Sequence, residues 1–110
     1  MHWKCTVCNF LWEGESPPDT CPRCGWPGEK YEELSEDQWK LIERARFSNG
    51  LYNQLLTMIP ELQEIAREGL DDNLDPWCVD IFQRLLDETT FLEKSIKAEI
   101  NVHVNKGKWG

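Results

Sequence analysis

The stretch Cys5-Thr-Val-Cys8-Asn-Phe, answered by Cys21-Pro-Arg-Cys24-Gly-Trp26, decides the fold of the first third of this chain. Two C-x-x-C pairs stand 12 residues apart. Each pair lets two sulfurs point at one ion from a single tight turn, and two such turns close a tetrahedron of thiolates. A tetrahedral S4 cage suits zinc or iron. Cys5, Cys8, Cys21 and Cys24 are therefore the expected metal ligands. The flanking residues agree. Gly25 after Cys24 and Asn9 after Cys8 tolerate the positive φ that such knuckles require. Pro22 presets its own φ and stiffens the second turn, and Pro17-Pro18 marks the excursion between the knuckles.

Working outward, the composition divides unevenly. Residues 1–34 hold four of the five Cys and four of the six Pro, whereas residues 35–110 are rich in Leu, Ile, Glu and Lys in a helical rhythm. A segment of 34 residues cannot bury enough apolar surface to offset its chain entropy and needs a metal to fold. The expected organisation is a small metal-bound β/knuckle module over 1–34, followed by a helical hairpin over 35–110. The whole is α+β and mostly helical.

The net charge is −8, of which −3 falls in residues 1–34 and −5 in the remainder. Neither part offers a basic face for phosphate backbones or anionic lipid, so no nucleic-acid or membrane partner is expected. No apolar run is long enough to span a bilayer, and the N-terminus has no apolar signal segment. The expectation is a cytoplasmic protein, in which disulfides would be out of place.

The N-terminal residues also carry a resemblance. Trp3 stands two before the first Cys and Phe10 two after the second. Glu13-Gly14, the Cys-Pro-x-Cys run Cys21–Cys24, and Tyr31-Glu32-Glu33-Leu34 follow. This stretch resembles a rubredoxin-type domain, in the shortened form found in rubrerythrins, with Asn9 standing where the family usually has Gly. The resemblance implies one iron held by four Cys and exchanging one electron with a redox protein partner. Zinc competes for the same cage, and a structural zinc ribbon on an interaction module is the alternative reading. Trp3, Phe10, Trp12, Trp26 and Tyr31 are expected to form a mini-core on one side of the site.

Ser35-Glu-Asp-Gln38 reads as a capping box that opens a helix. Apolar residues recur from Leu41 and Ile42 through Ile65 and Ala66 at helical spacing. Gly50 and Pro60 predict a kink or break near 50–60, Gly69 a stop, and Asp71-Asp72-Asn73 a loop. Asp75-Pro76 restarts a second helix over about 76–104, with Cys78, Phe82, Leu85, Ile96 and Ile100 on its apolar side. Lys106-Gly107-Lys108 reads as a frayed tail. Two such helices leave apolar surface over, so a homodimer through the helices is expected.

Rubrerythrins join the rubredoxin module to a di-iron four-helix bundle that consumes peroxide, and some relatives place the rubredoxin part first. A third reading is thus a rubrerythrin-like peroxidase. Its bundle needs Glu-x-x-His motifs, and this chain has none. Glu99 and His103, four apart, form one conceivable metal pair, with a helix-1 acid such as Glu43 as a further ligand. Glu61, Glu64 and Glu68 read as a solvated face. Cys78 reads as a buried, inert thiol on the apolar side; the nearby helix N-terminus favours the alternative, a redox-active thiol, only slightly.

Overall fold

The computed structural model describes residues 1–110. Three short strands come first, β1 (His2–Cys5), β2 (Leu11–Glu13) and β3 (Tyr31–Glu33), and two long helices follow, α1 (Glu36–Asp72) and α2 (Pro76–Asn105). The strands form one antiparallel sheet in the order β2-β1-β3. Its register places Trp3 opposite Trp12 and Cys5 opposite Tyr31. The fold is a three-stranded sheet carrying a cysteine cluster, followed by helices, and is mostly helical α+β.

Packing divides the chain into two compact units, Met1–Ala45 with Gly110, and Arg46–Trp109. The division falls inside α1, so the first turns of that helix belong with the cysteine module. Within this unit Trp39 stacks on His2 with ring centroids 3.7 Å apart and planes within 6°. The capping box forms in full at the start of α1. The Ser35 N–H donates to Gln38 Oε1 at 2.7 Å, and the Gln38 N–H donates to Ser35 Oγ at 3.1 Å. Two of the donors orphaned at that helix end are thereby satisfied.

α1 departs from the expected break. It stays helical through Gly50 and Pro60. Pro60 is exposed, where water can reach the carbonyl that its missing N–H would have engaged. Nor does the helix stop at Gly69. Asp71 and Asp72 remain helical, and Asn73 takes the left-handed position (φ 48°) and donates its N–H to the Gly69 carbonyl. Gly69 serves packing instead. A Cβ built on it would lie 2.2 Å from Cγ and Cδ2 of Phe82, so the bare backbone is what lets the ring of α2 approach.

α2 opens as read from the sequence. Asp75 caps it, with Oδ1 accepting from the Cys78 N–H at 2.8 Å and Pro76 at the first helical position. Its far end is more ordered than expected. Gly107 adopts φ 71°, the Lys108 N–H reaches the His103 carbonyl at 2.7 Å, and the Gly107 N–H reaches the Val104 carbonyl at 3.3 Å. This doubled closure is a Schellman-type stop. The two helices run antiparallel, because Phe82 meets Gly69 at one end and His103 meets Asn49 at the other. Ile59, Gln63 and Ala66 of α1, and Thr89 and Ile96 of α2, are buried along the seam between them.

Candidate metal centre

Each C-x-x-C pair is built on the same backbone turn. In the first knuckle the Cys5 N–H donates to the Phe10 carbonyl at 2.9 Å and the Asn9 N–H to the Cys5 carbonyl at 2.9 Å. In the second the Cys21 N–H donates to the Trp26 carbonyl at 2.8 Å and the Gly25 N–H to the Cys21 carbonyl at 2.9 Å. Asn9 (φ 68°) and Gly25 (φ 80°) both take the left-handed conformation that the spacing requires. The turns are locally encoded, and the sheet and an isolated bridge between Thr20 and Pro27 hold them.

All four sulfurs lie within 4.8 Å of one another. Cys5 Sγ and Cys24 Sγ are 3.7 Å apart, as are Cys8 Sγ and Cys21 Sγ. A tetrahedron with metal–sulfur bonds of ~2.3 Å has edges of ~3.8 Å, whereas a disulfide needs ~2.05 Å. All five cysteines are free. The spacing is that of four ligands around one ion.

Electrostatics points the same way. Burial pushes the Cys8 thiol up, but the Phe10 N–H and the Arg23 guanidinium bring it below its ordinary range. Burial also raises Cys21, yet the Tyr31 hydroxyl and the N–H groups of Cys24 and Arg23 outweigh it and bring that thiol to about 6. Cys24 accepts from the Trp26 N–H, but burial and the neighbouring sulfurs drive it up to about 12. The cage thus stabilises its first negative charges with fixed donors and resists the last one. Only a cation at its centre lets all four sulfurs ionise together.

Cys5 and Cys21 are buried, whereas Cys8 and Cys24 are partly exposed. Tyr31, Trp3 and Trp12 pack against the sulfurs. Trp3 is anchored by Nε1–H to the Gly14 carbonyl at 3.0 Å. The mini-core is smaller than expected from the sequence. Phe10 and Trp26 are exposed, and Lys30 Nζ sits 5.7 Å above the Trp26 ring. Two features escaped sequence reasoning. The Tyr31 hydroxyl donates to Cys21 Sγ at 3.3 Å, and Arg23 reaches back to the first knuckle, with a guanidinium nitrogen 3.4 Å from the Cys8 carbonyl. Neither contact is announced by residues adjacent in sequence.

The other polar residues singled out from the sequence lie on the two helices. Glu99 Oε1 and His103 Nε2 are brought together, at 3.1 Å. His103 Nδ1 meets Asn49 Oδ1 at 2.6 Å, and Asn49 Nδ2 donates to the Lys108 carbonyl at 2.8 Å. Since the Asn49 amide nitrogen is so engaged, its oxygen accepts and His103 Nδ1 donates. Both ring nitrogens are therefore occupied within the protein. Glu43, Glu61, Glu64 and Glu68 are exposed. Cys78 is partly buried, and its thiol is raised by a hydrogen bond to Asp75, then by burial. The capping carboxylate thus opposes the slight activation that a helix N-terminus would lend.

A small sheet that presents four convergent thiolates on two matched knuckles defines a rubredoxin-like module. Residues 3–32 match the family model for the rubredoxin-like domain of rubrerythrin, and they form a rubredoxin-like domain of that type. Over 81 residues, 72% of the chain, the sequence is 26% identical to reverse rubrerythrin-1 of Clostridium acetobutylicum, and that match spans 39% of the relative. Over 35 residues, 32% of the chain, it is 43% identical to rubrerythrin-1 of the same organism, spanning 18% of that protein. The chain therefore covers well under half the length of either relative. No solved structure matches it. No helix is long and apolar enough to cross a membrane.

Proposed function

We propose that the protein binds one iron ion through Cys5, Cys8, Cys21 and Cys24 and exchanges one electron at a time with a redox protein partner. The observation that carries this reading is the set of four sulfurs at tetrahedral spacing, held by backbone N–H groups. The likeness of residues 3–32 to the rubrerythrin rubredoxin-like domain supports iron over zinc.

Iron in such a site supplies a one-electron ferric–ferrous couple. The chain's part is to keep the cage rigid, so that little rearrangement accompanies the change of charge. Tyr31 and the knuckle N–H groups stabilise negative charge on sulfur and so favour the reduced state. Trp3, Trp12 and Tyr31 exclude water from the buried side. Cys8 and Cys24 bring the opposite edge to the surface, beside exposed Val7, Phe10 and Trp26. That edge is the natural place for an electron to enter and leave.

The test is the protein purified from its native host, or reconstituted with ferrous iron without oxygen. A red protein with one iron per chain that bleaches reversibly on reduction supports the reading. Native protein that is colourless, redox-silent and loaded with zinc refutes it in favour of a structural zinc module. Iron well above one per chain, with peroxide consumption, would point instead to a rubrerythrin-like peroxidase.

A further inference from the structure

The second unit leaves a long apolar surface uncovered. On α1, Phe47, Leu51, Leu55, Met58, Leu62 and Ile65 succeed one another in steps of four and three, and they are 40–73% exposed. That spacing draws one continuous stripe along a helix. It is distinct from the seam against α2, which buries Asn49, Ile59, Gln63 and Ala66. On α2, Trp77, Ile81 and Leu92 are 82%, 66% and 50% exposed, again beside the buried seam residues Thr89, Ile96 and His103.

At about 100° per residue, each stripe is rotated from its own seam by roughly 70–110° toward the same rotational sense. The helices run antiparallel, and equal senses on antiparallel helices place both stripes on one side of the hairpin. The two stripes therefore form a single face. Aromatic side chains carry roughly 150–250 Å² each; with the lower part of that range taken for the seven non-aromatic ones, these nine at their observed exposures present roughly 900 Å². A monomer's largest apolar patch is ordinarily ~300–600 Å², and a stable interface needs ~800 Å² from each partner.

We propose that this face is covered by a second copy of the chain, so that two hairpins pack as a four-helix bundle. Three observations favour a second copy over an unrelated protein. The area per chain is what a symmetric dimer requires. The pattern is half of a bundle, with each helix carrying one seam already filled and a second, adjacent seam empty. The rows bordering the α1 stripe are polar or acidic, including Gln54, Glu61 and Glu68, as the rim of such an interface is. The proposal does not depend on which metal the cysteines hold.

The test is sedimentation equilibrium on the full metal-loaded chain, from about 1 to about 100 μM. The expected result is twice the chain mass, falling to one chain mass in Leu55→Glu and Met58→Glu. Both side chains are exposed in the single chain, so far-UV circular dichroism of the variants should keep its helical signal. A wild-type protein that is monomeric throughout the range overturns the proposal, and so does a dimer that survives both substitutions. A readout free of substitutions is hydroxyl-radical labelling of the wild type. Labelling of Met58 and Trp77 should fall several-fold from the dilute to the concentrated end, and equal labelling at both ends refutes the interface.

Discussion

Gly69→Ala should destabilise the helical unit, although alanine normally stabilises a helix interior over glycine. The intrinsic gain is about 0.5–1 kcal/mol. Against it stands the ring of Phe82, which a Cβ at position 69 would meet at 2.2 Å from Cγ and Cδ2 and 2.4 Å from Cδ1. Ordinary carbon contacts lie at ~3.5–4.0 Å, so α2 or the ring must withdraw by more than ~1 Å. Overpacking on this scale costs about 1–3 kcal/mol. The net expectation is a loss of about 1–2 kcal/mol, or roughly 5–15 °C in the melting of the helical signal. Gly50 is the internal control. It lies in the same helix, and a Cβ there would meet nothing within 4 Å, so Gly50→Ala should raise stability by about 0.5–1 kcal/mol. Both variants are to be compared by urea unfolding at 222 nm, at one fixed protein concentration because dimerisation would couple to folding. In a Phe82→Leu background Gly69→Ala should lose most of its penalty. If Gly69→Ala stabilises as much as Gly50→Ala does, the ring is not against that turn and the pairing of the helices is wrong.

Three further outcomes are expected. Tyr31→Phe removes the O–H donor to Cys21 Sγ; in the iron-loaded protein it should lower the reduction potential by about 20–50 mV, because the bond is stronger to the more negative reduced site, and voltammetry showing no shift or a rise would contradict this. Metal uptake at pH 7 should release protons, because Cys24 is held up at about 12 whereas Cys21, at about 6, is already largely ionised. Affinity should therefore climb with pH above 7, and calorimetry in buffers of different ionisation enthalpy reads the proton count directly. The sign for Cys21 is that of a depressed acid: its favourable contribution to the folded knuckles is complete above about 9 and is lost as pH falls through about 6. Asn49→Ala leaves the buried His103 Nδ1 and the Lys108 carbonyl without their partner; a loss of about 1–3 kcal/mol is expected, with faster amide exchange at the Gly107–Lys108 turn.

What could be read from the chain alone was what neighbouring residues dictate to one another. Two cysteines three apart make a knuckle whatever follows, and Asn9 and Gly25 announce its left-handed residue. Ser35 with Gln38, and Asp75 with Pro76, announce helix starts because a cap is completed within one turn. The break expected near Gly50 and Pro60 failed because Pro60 lies on the exposed face, where water serves the carbonyl it frees, while Ile59 and Ala66 on the same helix are buried. The stop expected at Gly69 failed because that glycine answers to Phe82, a residue remote in sequence. The tail over 106–108 is ordered by Asn49, from more than fifty positions away.

By itself, then, the sequence determined the four convergent thiols, the two helices and the places where those helices begin, since each rests on interactions spanning a few residues. Only the tertiary structure decided that Tyr31 donates to Cys21, that Asn49 and Glu99 occupy His103, and which apolar side chains stay uncovered. Those outcomes depend on which faces meet, and a periodic pattern shows that a helix has an apolar side without saying which part of it a neighbour will bury.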